Sequence, residues 1–222
     1  MSRTTIRQSE KEWFEVRATE ECGYPEPADR FEYLKTNYDL SEFCPYCGIG
    51  KRLTRGLSLS EYPLEGDYDF FSPVWVPDQL FTTFNVLSQL HECGITGLAT
   101  FKAQPMLDGR KYVQVEIGTV LAEGIVRDQP GLKVRRCPNP LTLRPKAGFL
   151  GGPCHRVKVG FTRPLSVMEC IFQDAPDFAR LGDWVGAMGH AEQPIVCSKK
   201  VKRLYYEHGF RGLEFYGLNL VE

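Results

Sequence analysis

Cys44-Pro45-Tyr46-Cys47-Gly48 places two thiols three residues apart. Thiolates at that spacing can grip one soft ion from two sides. The glycine that follows permits the positive φ that turns backbone N–H groups toward the sulfurs. Zinc favours tetrahedral thiolate sites, and one pair supplies half of such a ligand set.

The other half has candidates further along. Cys137, in Arg135-Arg136-Cys137-Pro138-Asn139-Pro140, begins like a second C-P-x-C knuckle but carries Pro140 where the second thiol would stand. Cys154, in Gly151-Gly152-Pro153-Cys154-His155, lies at the far side of the same segment. Cys44, Cys47, Cys137 and Cys154 would form a closed four-thiolate site, with His155 as the alternative to Cys154. A closed site is structural and leaves no open position for a substrate. Two other readings compete. C-P-Y-C is also the redox pair of glutaredoxins, where it follows a buried strand and opens a helix that lowers the thiol pKa. Here residues 37–43 do not read as a buried strand, and Gly48-Ile49-Gly50 are poor helix formers. The thiols could also be plain buried side chains. Cys93, Cys170 and Cys197 lie in apolar surroundings and are expected in the core, while Cys22 is undecided.

A second chemical feature is charge segregation. No Asp or Glu occurs from Gln129 to Met168, a window holding Lys133, Arg135, Arg136, Arg144, Lys146, Arg156, Lys158 and Arg163. Such a hairpin could bind phosphates, dock an acidic protein, or be neutralised by the acidic N-terminal third. Only Phe149 and Phe161 interleave it, which weakens the single-strand nucleic-acid reading. Catalytic templates fail: there is no P-loop, no G-x-G-x-x-G after a strand and no H-E-x-x-H. His190-Ala191-Glu192 has the H-x-E of zinc deaminases, but only Cys197 lies downstream, so His190 reads as a turn residue. His91 and His208 fall at expected helix ends, where a cation suits the dipole. No catalytic residue is expected.

The elements that must position these residues show a diverged internal repeat. Residues 92–98 read Glu-Cys-Gly-Ile-Thr-Gly-Leu and residues 207–213 read Glu-His-Gly-Phe-Arg-Gly-Leu. Each follows a helical pattern (Val86 and Leu90; Val201 and Tyr205), with Asp78 and Ser198 as expected N-caps. Gly94 and Gly209, each followed by an apolar residue, predict Schellman endings. Apolar runs precede the helices at 74–76 and 195–197, and follow them at 98–101 and 213–216. Alternation at Val113, Val115 and Ile117, and at Val157, Val159 and Phe161, predicts half-buried antiparallel strands. The reading is an α/β (α+β) fold, two strand–helix–strand units around mixed or antiparallel sheet with a zinc-knuckle-like insertion. Its segments are 1–72 with the knuckle, 73–128, the basic hairpin 129–168, and 169–222, forming one compact bilobal domain.

An apolar fraction of 42% in 222 residues suffices for a sizeable core. A formal charge of −1 excludes a whole-protein electrostatic argument for nucleic acid or membrane. No run of 18 apolar residues predicts a membrane span. Residues 1–7 lack an apolar h-region, so no signal peptide is expected. Eight cysteines without a secretion signal then fit a reducing cytoplasm.

With these residues in place, the chain resembles the double-CXXCG motif proteins, bacterial immunity proteins of polymorphic toxin systems. The resemblance rests on Cys44-Pro45-Tyr46-Cys47-Gly48, a second cysteine region, and an ending of apolar run, Ser198, helix, then Gly209, Gly212, Leu213 and Phe215. The second motif departs from the pattern, with Pro140 in place of a thiol. The resemblance implies a cytoplasmic protein that binds and blocks a cognate toxin without catalysis. Arg135, Arg136, Arg144, Lys146, Arg156 and Lys158 are then the expected contact surface, with Trp75 or Trp184 either an aromatic anchor or a core side chain. The alternatives are a nucleic-acid-binding zinc protein using residues 133–163, and a C-P-Y-C thiol oxidoreductase.

Overall fold

A computed structural model of the chain describes residues 12–63, 68–101, 112–137, 154–160, 162–187 and 189–222. Arg144, Lys146, Pro140, Phe149 and Phe161 lie outside them.

Strand β1 (Trp13–Ala18) is followed by a short helix α1 (Glu32–Asn37). The first repeat unit then comprises β2 (Phe70–Phe71), β3 (Leu80–Thr83), α2 (Phe84–Glu92), β4 (Ala99–Thr100) and β5 (Tyr112–Glu116). A hairpin of β6 (Val134–Arg136) and β7 (Val157–Val159) comes next. The second unit comprises β8 (Phe178–Arg180), β9 (Ile195–Ser198), α3 (Lys199–Glu207) and β10 (Leu213–Gly217). Two four-stranded sheets result, ordered β2-β3-β5-β4 and β8-β9-β1-β10, with every neighbouring pair antiparallel. In each sheet the strands before and after the helix flank one antiparallel strand, a split β-α-β arrangement. The class is α+β.

Both helices end as their sequences predict. Gly94 N–H donates to His91 O (2.8 Å) and Ile95 N–H to Leu90 O (3.0 Å). Gly209 N–H donates to Tyr206 O (3.2 Å) and Phe210 N–H to Tyr205 O (3.0 Å). These are the paired bonds of the Schellman motif. The starts differ from expectation. Thr83, not Asp78, caps α2, its hydroxyl accepting from Val86 N–H (3.2 Å). Ser198 does precede α3, but its hydroxyl donates to Asp177 Oδ1 (2.7 Å) instead of capping. The strand before α2 is Leu80–Thr83; Val74-Trp75-Val76, bracketed by Pro73 and Pro77, is a turn because two prolines cannot donate to a ladder. In β5, Gln114 is 0% exposed where alternation predicted an outward position. Its amide accepts from Leu57 N–H (2.7 Å) and donates to Gln79 Oε1 (3.2 Å), which meets the requirement of a buried polar group.

The two units clasp each other reciprocally. Thr96 N–H donates to Asp177 Oδ2 (3.1 Å), and Phe178 N–H to Thr96 O (3.0 Å). The repeat-related bonds run the other way: Arg211 N–H to Asp69 Oδ2 (2.8 Å), and Phe70 N–H to Arg211 O (3.0 Å). The following glycines, Gly97 (φ 87°) and Gly212 (φ 102°), lie against these strands, and a Cβ would sit 2.1 Å from Phe178 O or 2.0 Å from Phe70 O. Only glycine allows that approach. One apolar core takes side chains from both units, among them Val86, Leu90, Phe178 and Val201. A second lies on the other face of β1, around Trp13, Val167 and Val196.

Candidate metal centre

The knuckle closes on itself before it meets any partner. Gly48 N–H donates to Cys44 O and Cys44 N–H to Ile49 O, both at 2.8 Å. No helix opens at Cys44; residues 45–47 and 49–50 are turns, unlike the helical setting of a glutaredoxin pair. Gly48 (φ 79°) lies against the 189–191 backbone, where a Cβ would fall 2.4 Å from Gly189 O.

The hairpin supplies the opposite pair. Arg136 pairs with Val157, and Cys137 N–H donates to Arg156 O (2.8 Å), so Cys137 and Cys154 emerge side by side beyond the strand ends. The sulfurs of Cys44, Cys47, Cys137 and Cys154 all lie within 4.8 Å of one another. Cys44 Sγ is 3.9 Å from Cys137 Sγ, and Cys47 Sγ is 3.7 Å from Cys154 Sγ. Zinc–sulfur bonds of about 2.3 Å at the tetrahedral angle would set sulfurs about 3.8 Å apart. A disulfide would need about 2.05 Å, and all four are free thiols. The four residues therefore fit a metal ion that takes soft ligands. His155, the alternative ligand, is exposed in a left-handed conformation (φ 47°) outside this group.

The electrostatics favour thiolate at Cys44 and oppose it at Cys47. Burial opposes ionisation of Cys44, but hydrogen bonds from the Cys47 and Tyr46 amides and from the Cys47 and Cys154 thiols outweigh it, bringing its pKa down to about 7. Cys47 is raised, first by burial and then by its neighbouring thiols, against one amide bond from Ile49.

Two of the six cations expected at a contact surface brace this centre instead. Lys158 is 5% exposed; its ammonium donates to Cys47 O (2.9 Å) and His190 O (3.0 Å). Burial lowers its pKa, and the Cys47 and Cys137 charges oppose that shift. Arg156 donates to Glu42 O (2.6 Å) and Ile49 O (3.3 Å). Register explains Lys158: flanked by Val157 and Val159 on β7, it lies on the face turned to the knuckle. Arg135 and Arg136 remain exposed and, with Tyr46, line an open cleft of about 580 Å³ beside the cage. Trp184 packs against the cage and Trp75 is 44% exposed.

Among the other thiols, Cys197 is 0% exposed and Cys93 half-buried against the core. Cys170 is exposed, contrary to expectation: the 3₁₀ turn Glu169–Phe172 buries Phe172 and leaves Cys170 outside. A buried charge network was not foreseen. Glu15 and Glu192, 3% and 2% exposed, are bridged by Arg17 at 2.7 and 2.6 Å. Arg163 joins Glu15 (3.2 Å) and His190 joins Glu192 (3.2 Å), so His190 is more than a turn residue. The alternation of Trp13, Glu15 and Arg17 along β1 is its only local signal.

No family model matches the chain, and no curated protein matches it.

Proposed function

We propose that this chain is a non-catalytic immunity protein of a bacterial cytoplasm, binding and neutralising a cognate toxin and holding a structural zinc at Cys44, Cys47, Cys137 and Cys154. The observation that carries the reading is the closed cage of four sulfurs drawn from two distant segments. Four protein ligands fill the coordination of zinc and leave it no position for substrate, so its role is to staple the hairpin to the knuckle. The stapled hairpin presents Arg135 and Arg136 outward. Such cations steer an acidic partner and set specificity.

Affinity capture of the tagged chain from its own cells, assaying protein, nucleic acid and zinc together, tests this. One stoichiometric protein partner whose toxicity the chain suppresses is the expected result. Nucleic acid that salt strips from the eluate, without a protein partner, would replace the reading with the nucleic-acid one. Metal-free thiols that exchange with a small disulfide would replace it with the oxidoreductase one.

A further inference from the structure

A second cleft bordering the cysteine knuckle carries a cluster of solvent-exposed aromatic rings. Tyr24, Phe31 and Trp75 are 41%, 50% and 44% exposed. Trp75 packs against both neighbours, with ring centroids 4.8 Å from Tyr24 and 5.0 Å from Phe31. The backbone under these rings is strained: Arg30, Phe31 and Trp75 hold φ of 49°, 57° and 71°. Bulky residues avoid that region, and strain of this kind gathers at functional sites. Here it holds two large apolar side chains at the surface. Phe31 and Trp75 rim a cleft of about 790 Å³ with an apolar floor that includes Leu34, Phe43 and Val74. Its lining charge is mainly positive: Arg30, Lys35 and Lys51 stand against Glu21, with Glu32 3.9 Å from the Lys35 ammonium in an exposed pair. Pro45 and Gly48 of the cysteine knuckle form part of its wall.

We propose that this cleft docks an acidic polypeptide segment that lays an apolar side chain on its Leu34, Phe43 and Val74 floor, beneath the packed rim of Phe31 and Trp75. Exposed apolar patches rimmed by polar residues mark interaction sites, and Trp is enriched among the residues that anchor interface centres. The three cations select an acidic partner. Single-stranded nucleic acid fits less well, because base stacking needs free ring faces and these rings pack at steep angles on one another. The proposal rests on the reading of the chain as a protein-binding molecule and adds a second contact cleft, across the knuckle and Gly189 from the one lined by Arg135 and Arg136.

The test is fluorescence anisotropy of the purified full chain with short labelled probes: an Asp/Glu-rich peptide with one central Leu, its Leu→Ser counterpart, a Lys-rich peptide with the same Leu, and an oligothymidine. The acidic Leu peptide should bind best and weaken as salt rises. Trp75→Ala should weaken it about tenfold or more. Lys35→Glu, on a side chain 66% exposed, should weaken it without touching the fold. No binding of that peptide, binding indifferent to both variants, or tighter oligothymidine binding would overturn the proposal. So would a toxin captured equally well by wild type and Trp75→Ala, which would leave neutralisation itself standing. Peptide binding without any captured toxin would support the cleft and count against neutralisation.

Discussion

Replacing Lys158 with Met separates two jobs of one buried ammonium. Met keeps the aliphatic stem and its packing, so no large cavity opens. It removes the donor to Cys47 O (2.9 Å) and His190 O (3.0 Å). Hydrogen bonds to charged groups contribute about 1.5–3 kcal/mol each, and relief of ammonium burial offsets part of their loss. A net destabilisation of about 2–4 kcal/mol follows. For a chain of this length each kcal/mol moves Tm by about 2–4 °C, so the midpoint should fall by roughly 4–16 °C. The second job concerns the cage. Four thiolates around a divalent ion leave excess negative charge in a buried place, and Lys158 is the cation packed beside it. Its loss should weaken zinc by about 10–100-fold, as other outer-sphere changes do. Thermal unfolding of wild type and Lys158→Met, each with and without a strong chelator, divides the two effects. A drop that persists in chelator belongs to the carbonyls; a drop that vanishes belongs to the charge. Unchanged Tm together with unchanged zinc affinity in a chromogenic competition would refute both roles.

Chain purified under reducing conditions should carry about one zinc. Elemental analysis should show it lost in Cys137→Ser and Cys154→Ser and kept in Cys197→Ser, and zinc retained by all three variants would sink the four-sulfur assignment. Asp177→Ala should cost about 2–3 kcal/mol in urea unfolding and Asp69→Ala about 1, because Asp177 accepts from Thr96 N–H, Thr96 Oγ1 and Ser198 Oγ whereas Asp69 Oδ2 accepts from Arg211 N–H. Equal costs would discount the bond inventory. Burial and the Asp78 charge push the Tyr33 hydroxyl up to about 12, and burial holds Tyr38 well above the ordinary range. In the unfolded chain both ionise near pH 10. The stability from keeping them neutral is therefore whole below pH 10 and is lost as pH rises from 10 through 12. Tyrosinate absorbance should show a late-titrating group, and a single transition near pH 10 in folded protein would contradict this.

The cysteine cage was legible because its ligands bear local marks: a C-P-x-C turn with glycine behind it, and two thiols flanking one hairpin. The repeat was legible for a similar reason, since Schellman endings depend on a few adjacent residues. What escaped was decided by distant partners. The Asp69 and Asp177 clasps join positions 142 and 81 residues apart. Glu192 meets Arg17 across 175 residues. A count of cations in the basic window could not tell that Lys158 and Arg156 face carbonyls while Arg135 and Arg136 face water. The strand at 80–83 hid because residues Leu80, Phe81 and Thr82 are all buried, which removes the alternation that marks a one-sided strand.

The reciprocal clasp has the geometry of a dimer written into one polypeptide. Around a dyad, off-axis contacts come in reciprocal pairs and only positions on the axis meet their own equivalents, and in a true homodimer any change there acts twice. Fusion lifts that constraint. Cys93 and His208 are equivalent positions of the two repeats, and Cys93 Sγ lies 3.9 Å from His208 Nε2. A symmetric assembly would have to place cysteine on cysteine or histidine on histidine at this point. One chain can place a thiol against an imidazole, a pairing that no identical pair of subunits could make on their axis.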